Sequence, residues 1–236
     1  MREKPVRHGP HFQEEDNHAD AQEEKSRPAD GGVRRLLDPP PGGAPRPLAR
    51  ADARRAGAAG GARLRQETAK AEPDVLLIAV EKVPDAMVVA MERVRDAGLT
   101  NVFFIDADAA LLPELFAPGE VDRIYINFCD PWPRSNQKKR RLTHGNFLRQ
   151  YRRVLRPAGQ IHFKTDNDKL FAWSVEEIPQ FGFSLSEVTT DLHADGPVGV
   201  MTDYEAKFFA EGKNINRCVA TMEDWTEPAP EADGAE

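Results

Sequence analysis

The sequence predicts an α/β fold built on a doubly wound, mostly parallel sheet. Apolar runs of strand length recur through the middle of the chain, and stretches with helical spacing lie between them. The run VLLIAVE (75–81) is apolar almost throughout and closed by an acid, as suits a strand covered on both faces. In such sheets ligands bind beyond the carboxyl ends of the strands, so the residues that close each run carry the functional interest.

Taken in order, VPDAMVVAMERVRDAG (83–98) places Ala86, Val89, Ala90 and Val94 on one side of a helix, with Gly98 as its stop. NVFFIDAD (101–108) predicts a second strand, and VDRIYINFCD (121–130) a third, with Ile124, Ile126 and Phe128 alternating. HGNFLRQYRRVLRPAG (144–159) reads as an amphipathic helix with Phe147, Tyr151 and Leu155 on one face, ended by Pro157-Ala158-Gly159. A fourth strand follows in GQIHFKTDN (159–167), then a helix over 167–182 anchored by Leu170, Phe171 and Val175. FSLSEV (183–188) and INRCVATM (215–222) predict a final pair of strands, joined through a short helix near 203–210.

The two ends differ from this pattern. Residues 1–66 are predicted not to fold in a native-like way. Over 26–63 the only larger apolar residues are Val33, Leu36, Leu37 and Leu48, too few to offset chain entropy. The tail 223–236 has six acids and no base, and is also expected to be disordered. The domain is therefore expected over 67–222. No run approaches the ~18 apolar residues of a membrane span, and the N-terminus lacks the apolar core of a signal peptide. Cys129 and Cys218 are far apart and show no metal-ligand spacing, so a reduced, cytoplasmic setting without a metal is expected.

Four predicted strand ends carry carboxylates: Glu81, Asp106 or Asp108, Asp130 and Asp166. Ordinary helix capping explains any one of them; four at successive carboxyl ends favour a polar cleft. An acid in the position of Glu81 commonly accepts from a ribose diol, and Asp108, preferred to Asp106, suits the adenine end of such a cofactor. In Asp130-Pro131-Trp132-Pro133 the prolines fix the backbone on both sides of Trp132. This motif alone leaves open a stacking wall beside an acceptor and a loop with its Trp plugged into the core.

The charge that follows favours the wall. From Arg134 to Ala158 there are nine Lys or Arg and no acid, in a chain whose formal net charge is -7 and whose remaining 23 bases face 39 acids. A single-sign patch of this density is the electrostatic footprint of a polyanion, and Lys138, Lys139, Arg140 and Arg141 are its expected contacts with a nucleic-acid backbone, with His144 as a further charge. Its start at the functional edge of the sheet suits an enzyme acting on nucleic acid.

NFCDPWPRSNQKKRRLTHGNFL, with FKTDN, LFAWS and TDYEAKF downstream, resembles the bacterial tRNA (guanine-N7)-methyltransferases from about Glu67 to Met222. The resemblance implies a Rossmann-like methyltransferase fold and an S-adenosylmethionine-dependent transfer to N7 of guanine 46 in the tRNA variable loop, by a cytoplasmic monomer. It implies cofactor contacts at Glu81, Asp108 and Asp130. Substrate contacts fall at Arg134, Asp166, Thr202, Asp203, Tyr204 and Glu205, and the catalytic pair is Asp130 and Asp166. Asp166 or Glu205 is expected to fix the base through its N1 and N2 donors. At Arg134 the family usually has Lys, and the planar guanidinium changes the reach.

The chain departs from the family upstream of Glu81. The family carries a first strand and a glycine turn of the form E-x-G-x-G-x-G. Here Gly57, Gly60 and Gly61 stand in another spacing, no acid lies near Ala56, and no apolar run precedes them. The Arg, Ala, Gly and Pro bias of 26–66 is what a GC-rich gene gives when read out of frame. The alternative function is an inactive RNA-binding remnant that has lost the cofactor turn.

Overall fold

A computed structural model of the protein describes residues 49–53 and 60–227, with side chains from Gln66 onward. Seven strands form one sheet in the order β3-β2-β1-β4-β5-β7-β6: β1 (Ala49–Ala53), β2 (Leu76–Glu81), β3 (Val102–Asp106), β4 (Val121–Asn127), β5 (Leu155–Thr165), β6 (Phe183–Thr189) and β7 (Asn216–Met222). β1 to β5 run parallel, and β7 is antiparallel to both β5 and β6. The helices are α1 (Gly60–Ala71), α2 (Pro84–Asp96), α3 (Leu112–Leu115), α4 (Gly145–Val154), α5 (Asp168–Glu177) and α6 (Asp203–Ala210). The doubly wound, mostly parallel sheet is as the sequence predicts.

The main correction falls in the N-terminal region. Ala49–Ala53, inside the stretch expected not to fold, is the central strand, paired with β2 on one side and β4 on the other. A strand flanked on both sides gains a complete backbone ladder from its neighbours, so tertiary context overrides the weak preference of Ala-Arg-Ala-Asp-Ala. The domain thus reaches upstream of Glu67. The expected disorder of 1–48, and Gly57 of the glycine turn, lie outside the described residues, as do 228–236 of the tail. Residues 223–227 do pack: the Trp225 ring lies 6.2 Å from that of Phe181, and Gly182, at φ 72, has no room for a Cβ beneath Trp225.

Element ends shift where proline acts. α4 stops at Val154 rather than running to Gly159, because Pro157 has no N–H to donate and its ring opposes continued helix. β5 starts at once, and the left-handed Ala158 (φ 56) accompanies the register shift between Val121 and Arg123 on its partner.

The two faces of the sheet are filled separately. Ile78, Val80, Ile124, Ile126, Ile161 and Phe163 pack beneath α4 and α5, with Leu148, Tyr151 and Leu170 from those helices. Ala69 of α1 and Val94 of α2 cover Leu77 and Val102 on the other face. Each such buried Val, Leu, Ile or Phe side chain contributes roughly 1.5–3 kcal/mol.

The Tyr151 hydroxyl is fully buried with no hydrogen-bond partner among the described residues, and burial pushes its pKa well up. Removing an unsatisfied buried polar group relieves its desolvation cost. Tyr151→Phe is therefore expected to be neutral or to stabilise by up to about 1 kcal/mol in urea unfolding.

Candidate active site

Parallel strands bring the predicted acids to one edge. Glu81 and Asp106 are register partners at the ends of β2 and β3. Glu81 is buried, and its Oε1 accepts from the backbone N–H of Lys82 (3.0 Å) and of Val83 (2.9 Å), shaping the turn into α2. Asp108 Oδ1 accepts from Ala110 N (3.0 Å) and its Oδ2 from Lys82 Nζ (2.9 Å), whereas Asp106 is exposed. Capping thus accounts for part of each carboxylate. With two oxygens and several lone pairs apiece, these acids retain capacity for a ligand.

Asp130 follows the end of β4 between two residues in the left-handed region, Phe128 (φ 53) and Trp132 (φ 41). Non-glycine residues pay on the order of 1–3 kcal/mol for such conformations and keep them only where the surroundings fix them. Phe128 N donates to Lys164 O (2.9 Å), and its ring lies 6.4 Å from that of Tyr204 and 6.0 Å from that of Phe208. At Trp132, Arg140 stacks over the indole at 3.6 Å, so this ring faces outward rather than plugging the core. Arg141 lies inside: it is 7% exposed, donates from Nε to Pro131 O and from an Nη to Trp132 O (each 3.0 Å), and lies 4.5 Å over Trp173.

The expected substrate residues divide. Asp166 is half-buried and ion-paired to Lys213 at 2.5 Å, and that ammonium also lies 4.4 Å over Phe208. Tyr204 and Arg134 are exposed, and Asp203 pairs with Arg93 of α2 at 2.7 Å. Thr202 and Glu205 are fully buried and form the capping box of α6, with Glu205 N to Thr202 Oγ at 2.9 Å and Thr202 N to Glu205 Oε2 at 3.1 Å. Glu205 Oε1 also accepts from Lys164 Nζ (2.8 Å) and lies 3.0 Å from His193 Nε2. Because His193 Nδ1 accepts from Val198 N, a neutral ring presents its N–H to Glu205. Glu205 is thus held on both oxygens by groups of this chain, which gives it a structural role in the frame. A lysine inside the apolar strand QIHFKT was the sequence signal of a buried partner; nothing local pointed to His193, Arg93 or Lys213.

The basic block divides in the same way. Arg141 is buried; Arg149 pairs with Glu227; Arg152 donates to Gly182 O (2.6 Å) and Glu223 O (2.9 Å); Arg156 pairs with Asp122. Arg134, Lys138, Lys139, Arg140 and Arg153 are exposed and form no ion pair among the described residues. Burial lowers the pKa of His144, and its Nδ1 accepts from Asn146 N as the cap of α4. Cys129 and Cys218 are buried and form no disulfide among the described residues, and burial pushes the Cys218 thiol up to about 12. Among the described residues no cluster of His, Cys, Asp and Glu is arranged to hold a metal, and no helix is long and apolar enough to cross a membrane.

A family described as "Putative methyltransferase" matches residues 57–218. The chain is similar to a tRNA (guanine-N(7)-)-methyltransferase of Geobacillus kaustophilus, at 46% identity over 155 residues that span 65% of this chain and 71% of that one. A protein of the same name from Lactococcus lactis is 43% identical over 151 residues, 63% of this chain and 70% of that one. Solved structures show the fold. A 16S rRNA (adenine(1408)-N(1))-methyltransferase variant from Catenulisporales acidiphilia superposes with a TM-score of 0.51 at 13% identity, covering 75% of this chain and 86% of that chain. A fibrillarin from Methanococcus jannaschii gives 0.51 at 16% identity, covering 76% and 68%.

Two outcomes follow from the frame. Glu205→Ala would leave Lys164 without its buried counter-charge and α6 without half its capping box. At least about 3 kcal/mol of stability is expected to be lost in urea unfolding, where a residue that served only as a substrate contact would lose almost none. For His144, a depressed pKa means that the unfolded chain takes the proton first, so stability falls as pH drops below the ordinary 6.5 toward the lowered native value. His144→Asn keeps a capping acceptor without a charge change. The stability difference between variant and parent is expected to be constant above pH 6.5 and to shift in the variant's favour below it.

Proposed function

The chain belongs to the tRNA (guanine-N7)-methyltransferase family, and from that premise we propose that it transfers a methyl group from S-adenosylmethionine to N7 of a guanine in tRNA, guanine 46 of the variable loop. The observation that carries this is the row of carboxylates Glu81, Asp108, Asp130 and Asp166 along one sheet edge, bordered by exposed cations.

The residues present fit the cofactor. Glu81 suits the ribose hydroxyls, Asp108 the adenine end, and Asp130 the amino-acid end. The buried Nδ2 of Asn127, at the close of β4, has no acceptor among the described residues and is a donor suited to a polar ligand. When bound, the cofactor supplies an electrophilic methyl group on a sulfonium.

Guanine N7 carries an in-plane lone pair and no proton, so no base has to remove one. The protein's task is alignment, together with stabilisation of the positive charge that alkylation puts on the base. Asp166 accepts from the N1 and N2 donors of guanine, and Lys213 gives up its pairing with Asp166 when they arrive. Arg134 and Tyr204 border the base, while Thr202 and Glu205 keep α6 in place. Lys138, Lys139 and Arg140 meet tRNA phosphates; Arg141 does not. The chain acts in the cytoplasm as a monomer, a stoichiometry that sedimentation with tRNA checks.

A second reading, an RNA-binding remnant without activity, is favoured by the spacing of Gly57, Gly60 and Gly61. Calorimetric titration of S-adenosylhomocysteine separates the two. Saturable binding, with methyl transfer to unmodified tRNA that falls roughly 10²-fold in Asp130→Ala and Asp166→Ala, is the expected result. Retention of tRNA with no heat of cofactor binding leaves only the remnant.

A further inference from the structure

We infer that Arg141 is a positioning residue for the methyl transfer: its buried guanidinium, gripping the carbonyls of Pro131 and Trp132, holds Asp130 in the cofactor cleft and Trp132 against its outer rim. The inference deepens the proposed function and rests on it for its kinetic part only.

In sequence Arg141 closes a run of four bases, Lys138 to Arg141, and looks like one more phosphate contact. Its surroundings assign it elsewhere. The side chain enters beneath the loop, where Nε and an Nη donate at 3.0 Å to two consecutive carbonyls. Both carbonyls belong to a segment that cannot hold itself by backbone hydrogen bonds, because Pro131 and Pro133 lack N–H groups. The indole of Trp173 lies 4.5 Å beneath the guanidinium, and on its other neighbour's side His144 stacks on the same indole at 6.2 Å. The planar fork of Arg spans two adjacent acceptors at once, which a lysine ammonium does not reproduce. Trp132 has a left-handed backbone, a conformation that needs outside support, and its two flanking contacts come from adjacent residues. Arg140 covers the ring from outside, and Arg141 ties the backbone from within. Rotation of this loop would carry Asp130 with it.

The test compares Arg141→Lys and Arg141→Ala with Lys139→Ala in the full-length chain labelled with 5-fluorotryptophan. The chain has three tryptophans, Trp132, Trp173 and Trp225, so the ¹⁹F spectrum reports the loop, the base of the clamp and, at Trp225, a ring that does not touch Arg141 among the contacts described. In both Arg141 variants the Trp132 and Trp173 resonances are expected to move while Trp225 stays. With tRNA, kcat is expected to fall at least about 10-fold, recovering in part for Arg141→Ala when methylguanidinium is added. The slope of log K for tRNA against log salt is expected to stay at the parent value, whereas Lys139→Ala lowers it by about one unit. Unmoved Trp132 resonances overturn the proposal, as does a slope that falls by one unit in Arg141→Lys with kcat unchanged. If Arg141→Ala does not fold, Arg141→Lys gives the same readings. A parent chain that transfers no methyl group would sink the proposed function instead, and the ¹⁹F spectra and salt slopes would still decide the position of Arg141.

Discussion

One strand holds this sheet together. β1 is the sole link, within the sheet, between the pair β2–β3 and the four strands β4, β5, β7 and β6. It also divides the candidate site: Glu81 and Asp108 lie on one side of it, Asp130 and Asp166 on the other. The two halves can therefore keep their spacing only while the ladders Ala49–Ala53 to Leu76–Val80 and Ala49–Asp52 to Val121–Tyr125 stay in register. A second tie crosses outside the sheet. Arg93 of α2 pairs with Asp203 of α6, so the helix that follows Glu81 is fastened to the helix that presents Tyr204. Such a half-exposed pair is worth little in stability, but it fixes the relation between two otherwise separate elements.

Apart from the short α3, for which the sequence offered no pattern, the strands and helices from Leu76 to Met222 were legible because each obeys its own periodicity and closes with a chemically apt residue. β1 was not. Its five residues have no apolar alternation, and what makes them a strand is the presence of partners on both sides, which no local pattern encodes. The end of α4 is hidden from local pattern for a similar reason, because Pro157 acts on residues that precede it and β5 recruits Leu155 as soon as the helix stops. Among the site residues, those at strand ends could be found from topology alone. The buried frame around Thr202 and Glu205 could not, since the capping box looks identical in sequence whether or not its carboxylate also meets a lysine of another element.

The basic segment shows how composition overstates function. Read as a run, it is one surface. In the fold, Arg141, Arg149, Arg152 and Arg156 hold carbonyls or carboxylates of this same chain, and each ties the segment to another part of the structure: the loop after β4, the C-terminal residues, the start of β6 and Asp122 of β4. Arginine suits this work because its stem packs while its fork bonds. The exposed remainder, Arg134 with Lys138, Lys139, Arg140 and Arg153, is a smaller patch set around a rigid loop, closer to a local docking point than to a broad electrostatic face.

β6 ends the sheet, and its ladder to β7 breaks register between Ser186 and Thr189, where Glu187 adopts a left-handed conformation and pairs with Arg217. An outermost strand with an unbroken row of free N–H and C=O groups invites another chain to add itself. The irregularity at Glu187 interrupts that row and sets a charge on the rim, so this border offers a poor template for edge-to-edge growth into larger aggregates.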